Sequence, residues 1–173
     1  TKAESVVVRH PRSKYADEAA VLRGLALARL GQCEQALAPL GRATVLGRNA
    51  DLAEEALLAT GRCQMSLGNL AAGDAAFTQL LGSRNQERRI EAHFQHARAA
   101  RHAGRYEEAL RALEVVRHPR ADAERLLALA GTGRVDDALS LADSLVARGD
   151  TIQPWDSLVV ALDTEPEPAG GAD

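Results

Sequence analysis

The side chains of this 173-residue chain that could do chemistry are five histidines, two cysteines and several adjacent carboxylates. His93 and His96 stand three residues apart, the spacing at which two imidazoles on one helix can share a metal, and His102 follows nearby. No Cys, Asp or Glu stands at a third-ligand spacing, so the pair reads as histidines packed between helices or at a groove edge. His10 and His118 belong to two copies of one hexapeptide, Val7-Val8-Arg9-His10-Pro11-Arg12 and Val115-Val116-Arg117-His118-Pro119-Arg120. A catalytic residue has no need of repetition, so both read as turn residues. Cys33 and Cys63 lack metal or redox spacing. They read as small buried thiols, with a disulfide as the alternative in an oxidising compartment. The acid pairs Glu54-Glu55, Glu107-Glu108 and Asp136-Asp137 fall at predicted helix starts, where negative charge favours the helix dipole, and read as solvated. No glycine-rich phosphate loop, nucleophile elbow or His-Glu-x-x-His motif occurs. The expectation is a chain that is not an enzyme, with no catalytic residue, metal or cofactor.

The elements that must position these groups are helical. Alanine and leucine dominate, aromatic residues make up 3% of the chain, and β-branched residues are few, a composition that favours helix. At this length the chain can bury roughly 70% of its extended-chain surface in one domain. Net charge is −3 and gives no sign of nucleic-acid binding, but it is unevenly spread. Residues 84–120 carry nine Arg against five Glu, while residues 150–173 carry six acids and no base. No apolar run approaches the ~18 residues that a membrane span requires.

The two hexapeptides lie 108 positions apart, three times 36, and glycines keep the same beat. Leu30-Gly31, Leu67-Gly68, Ala103-Gly104 and Thr132-Gly133 each separate two Ala/Leu-rich segments, which predicts helix A, a glycine turn, then helix B. Five, nine and twelve residues beyond each glycine the types repeat on one helix face: Ala36, Leu40 and Ala43; Gly73, Phe77 and Leu80; Ala109, Leu113 and Val116; Ala138, Ala142 and Leu145. Seven residues before the glycines stand Gly24, Gly61, Ala97 and Leu126, the first three small enough for close helix crossing.

This pattern resembles the tetratricopeptide repeat, whose consensus has small residues at positions eight and twenty and glycine at fifteen. Gly24, Gly31, Ala36, Leu40 and Ala43 match it, as do residues 54–80 and 90–116, and the resemblance covers roughly residues 1–149. The consensus aromatic of helix A is absent, and the last helix A is about seven residues short. The resemblance implies an all-α fold, a right-handed α-solenoid of antiparallel helix pairs at about 13–48, 50–83, 85–118 and 119–149. Residues 1–10 read as the second helix of a truncated preceding repeat. Pro154 can open a helix whose stripe of Trp155, Leu158, Val159 and Leu162 suits a cap over 153–163, and 164–173 reads as an acidic disordered tail or linker. The tail could also compete for the basic surface of the third repeat.

Carried over from the family, the concave groove would be lined by Val21, Leu25 and Arg29, by Leu58, Arg62, Met65 and Ser66, and by Phe94, Arg98, Arg101 and His102. Arginine there suits carboxylate recognition, although each could instead pair with glutamate on a neighbouring helix. The family's Lys/Asn carboxylate clamp is not expected, since Val21 and Leu25 stand at its positions. A narrower likeness lies in Pro11-Arg12-Ser13-Lys14-Tyr15-Ala16-Asp17-Glu18-Ala19, which resembles a junction phrase of bacterial envelope proteins, among them outer-membrane assembly lipoproteins and the Tol-Pal-associated periplasmic coordinator. In that phrase Ser13 is expected to cap the next helix and Tyr15 to pack across the junction. The functional expectation is a protein–protein interaction scaffold that binds a peptide or extended segment, with acidic groups, in the groove. The compartment it implies is the bacterial periplasm or outer-membrane periphery, with the cytoplasm as the alternative. The rival expectations are an architectural subunit packing through its helix faces and a cytoplasmic adaptor or regulatory domain.

Overall fold

The computed structural model describes residues 15–46 and 49–149. The segments expected at 1–10, 153–163 and 164–173, with His10, Ser13 and Trp155, lie outside the described residues. Within them the protein is all-helical, with no strand. The helices are α1 (Ala16–Arg29), α2 (Cys33–Leu40), α3 (Ala50–Ser66), α4 (Leu70–Thr78), α5 (Gln86–His102), α6 (Tyr106–Leu113), α7 (Pro119–Gly131) and α8 (Val135–Ala147), with a short 3-10 turn at Gly41–Val45.

Local chemistry sets their limits. Asn49 and Asn85 accept hydrogen bonds through their side chains from Leu52 N and Arg88 N, which caps α3 and α5. His118 does the same for α7, its Nδ1 accepting from Arg120 N at 3.1 Å, with Pro119 in the first turn. This is the turn role that the duplicated hexapeptide predicts for His118. At the other ends Gly31, Gly68, Gly104 and Gly133 have φ between 73° and 80°. Each is followed by a residue whose N–H reaches back to a carbonyl in the last helical turn, Gln32 to Leu27 O, Asn69 to Gln64 O, Arg105 to Ala100 O and Arg134 to Leu129 O. A side chain in that left-handed conformation would be strained, so the glycines stop each odd helix and start the next. Tyr15, expected to pack across the junction before α1, is 56% exposed.

Packing joins each helix to the next, from α1 and α2 through to α7 and α8, and joins the odd helices to one another, α1 to α3, α3 to α5 and α5 to α7. The core is correspondingly four clusters. One draws on α1, α2 and α3, the next on α3, α4 and α5, the third on α5, α6 and α7, and the last on α7 and α8. The crossing within each pair follows a small-against-large rule. A Cβ at Gly61 would lie 2.3 Å from the Phe77 ring, and one at Gly24 2.9 Å from Leu40, so only glycine permits the approach. Phe77 is then fully buried, worth about 1.5–3 kcal/mol of transfer free energy. Ala97 and Leu113 occupy the same places in the third pair, both fully buried. In the fourth the sizes exchange: Leu126 stands on α7 and Ala142 on α8, both buried in one cluster. The exchange coincides with altered lengths, since α7 has 13 residues against 17 in α3 and α5, while α8 has 13 against 8 or 9 in the other even helices.

Candidate binding groove

The odd helices touch one another in sequence, α1 to α3 to α5 to α7, and ion pairs cross each contact. Arg29 of α1 donates to Glu55 of α3 at 3.0 Å, and Arg62 of α3 to Glu91 of α5 at 2.5 Å. Arg98 and Arg101 of α5 share Glu124 of α7 at 3.2 and 2.6 Å. The alternative left open by the sequence, arginines paired with glutamates of neighbouring helices, is what the structure contains. Burial alone would raise the Glu91 pKa, but hydrogen bonds from Gln95 and Arg62 overcome it and hold the carboxyl below its ordinary value. Burial and the charges of Arg101 and Arg98 hold His102 below its ordinary value and favour the neutral ring, against the opposing attraction of Glu124.

Three cavities lie along these helices. The first, about 450 Å³, is mostly apolar, lined by Leu25, Ala28, Leu58 and Ala59 with Arg29, Glu55, Arg62 and both cysteines. A second, about 310 Å³ and more polar, is bounded by Arg62, Met65, Ser66, Leu70, Gln95, Arg98 and His102. Arg62 and Ser66 line both. The third, about 220 Å³, is formed by Ile90, Phe94, Val116, His118 and Arg120 with Glu87 and Glu91. Phe94 is its floor: Arg120 lies 4.9 Å and Arg98 5.9 Å from the ring centroid, within cation–π range.

Eight of the residues expected to line a groove do border these cavities on the odd helices: Leu25, Arg29, Leu58, Arg62, Met65, Ser66, Arg98 and His102. Phe94 is only 5% exposed and reaches the third cavity from the core, and Arg101 is absorbed by Glu124. Val21 is a correction. It is fully buried with Leu40, Leu46 and Ala56, because the 3-10 turn and the start of α3 close over it.

The cysteines are bonded to each other, where the sequence favoured free thiols. Cys33 at the start of α2 and Cys63 in α3 have Cα atoms 5.0 Å apart, within disulfide reach. The bridge lines the first cavity, and Ser66 Oγ donates to Cys33 Sγ at 3.3 Å.

A second polar cluster was legible in the sequence only through His96. His96 Nδ1 donates to Asp74 Oδ1 of α4 at 2.5 Å, and its Nε2 stands 3.3 Å from Glu108 Oε1 of α6. These three side chains form a donor set of the kind that can hold a metal. Arg105, however, binds the second oxygen of Asp74 at 2.6 Å and both oxygens of Glu108 at 2.9 Å. The guanidinium bonds both carboxylates, so their oxygens are engaged in an ion-pair ring joining α4, α5 and α6. Glu54 is likewise engaged, accepting from Ser83 and Arg88, so neither it nor Glu108 is merely solvated. His93, one turn before His96, has a buried Nδ1 without a hydrogen-bond partner, and its pKa is lowered by burial, His96 and Arg89. No helix among the described residues is long and apolar enough to cross a membrane. Compared with known proteins, the chain matches no family model, no curated protein and no solved structure.

Proposed function

We propose that the protein is a non-catalytic interaction scaffold of the tetratricopeptide kind, a right-handed solenoid of antiparallel helix pairs whose odd helices receive an extended segment of a partner protein. The observation that carries this reading is the line of cavities across α1, α3, α5 and α7, the first two sharing Arg62 and Ser66. An apolar hollow beside a polar one suits a peptide better than a small reactive substrate. The Cys33–Cys63 bridge supports an oxidising compartment, in agreement with the envelope-like junction phrase.

The architectural reading has support of its own. An apolar cavity of about 420 Å³ on another face is lined by Leu40, Ala43, Leu46, Ala53 and Leu57, with Gln79 at its edge, and α8 exposes Val135, Leu139 and Val146. Pull-down of natural partners with two variants separates the two. Ser66 and Gln79 are both exposed, one at each site, so tryptophan can obstruct either without entering the core. Loss of partners with Ser66→Trp alone supports the groove. Loss with Gln79→Trp alone replaces it with the architectural reading.

A further inference from the structure

We infer that the middle cavity is a carboxylate subsite, and that the groove takes an extended peptide bearing one Asp or Glu with an apolar residue about three positions to one side. This rests on the groove reading and states which peptide the groove selects.

The charge balance around that cavity leaves one site unfilled. Three guanidinium groups, Arg62, Arg98 and Arg101, share two carboxylates, Glu91 and Glu124. The glutamates also leave donors spare. A guanidinium has five N–H groups. Arg62 gives Glu91 one Nη2 bond, and Arg98 gives Glu124 its Nε contact and Gln95 one Nη1 bond at 3.2 Å. Arg62 and Arg98 border the cavity from helices α3 and α5, with 55% and 36% of their side chains exposed. Held by Glu91 and Glu124, they lose little freedom when a ligand arrives, which favours binding. A charge-assisted bond to a carboxylate is stronger than a neutral one, and the planar fork accepts it in a defined orientation. A phosphate dianion would overfill a cluster with a single excess positive charge.

The neighbouring apolar hollow sets the flanking residue. Leu25 and Leu58 line it, and it shares Arg62 and Ser66 with the middle cavity. Packed helices lie about 8–10 Å apart. An extended chain advances about 3.3 Å per residue, so the step from one hollow to the next spans about three residues.

The test is selection of a displayed library of random heptapeptides on the immobilised full chain, in parallel with Arg62→Gln/Arg98→Gln and Ser66→Trp. The wild type should enrich an acid with an apolar residue three positions away on one side. The arginine double variant should keep the apolar preference and lose the acid. In solution the selected peptide should bind about tenfold more tightly than its acid-to-amide counterpart. Enrichment of apolar residues without an acid, or an acidic preference that survives the double variant, overturns the subsite and leaves the groove standing. Failure to enrich any sequence, or enrichment indifferent to Ser66→Trp, overturns both.

Discussion

Breaking the Cys33–Cys63 bridge tests the packing of the first two helix pairs and the groove together. The bond closes a loop of 30 residues between α2 and α3. In the chain-entropy treatment such a cross-link removes about 12 cal/mol/K from the unfolded chain, or about 3.6 kcal/mol at 25 °C. For a chain of this size that corresponds to a fall in Tm of roughly 10 °C. Cys63 is 1% exposed, so a reductant reaches the bond by way of Cys33 and the first cavity. Thermal melts followed by far-ultraviolet circular dichroism should show the drop on reduction, and Cys33→Ala/Cys63→Ala should melt near the reduced wild type and ignore reductant. The same variant should bind groove peptides more weakly, since the bridge holds α2 against α3 beside Leu58. Alkylation of the non-reduced, unfolded protein that finds two free thiols, together with a melt indifferent to reductant, would refute the reasoning.

The exchanged crossing in the last pair predicts compensation. Leu126→Ala should cost about 2–5 kcal/mol by denaturant titration, and Ala142→Leu added to it should recover a large part; purely additive losses would show that the two residues do not share one space. Acid stability is set first by His93 and His102. Their folded pKa values are depressed, so the unfolded state binds the extra protons, and stability should fall as pH drops from about 6.5 through the folded values. His93→Phe should reduce the slope in that region of a pH–stability profile and leave the part that belongs to His102. Glu91, also depressed, contributes stability present above its unfolded value of about 4.5 and lost below it, so Glu91→Gln should leave the histidine window unchanged. A single loss common to both variants would be evidence against separate origins.

The helix pairs were legible because their limits are local. A glycine at positive φ ends a helix whatever surrounds it, and Gly24, Gly61 and Ala97 announce close crossings because a larger side chain would collide. The arginine–glutamate crossings left a weaker trace. Arg62 and Arg98 each stand six residues before a turn glycine, and Glu55 and Glu91 thirteen before, so register alone could have set Arg62 against Glu91. That register breaks at the fourth glycine, where the spacing drops to 29, and Arg120 occupies the place of the glutamate. Glu124, one turn further along α7, takes the pairing instead.

Other outcomes depended on distances that residue spacing does not encode. A sequence separation of 30 between two cysteines carries no information about a 5.0 Å Cα separation, and Val21 reads as a groove position until Leu46 and Ala56 cover it. Asp74, His96 and Glu108 meet only because α4, α5 and α6 pack around them. The sequence by itself determined the elements, their turns and the small residues that let them cross, since those depend on backbone conformation and side-chain size. Tertiary structure alone decided which charges are paired, whether the thiols are joined and where the excess positive charge remains, because each of these is a meeting of side chains from different helices.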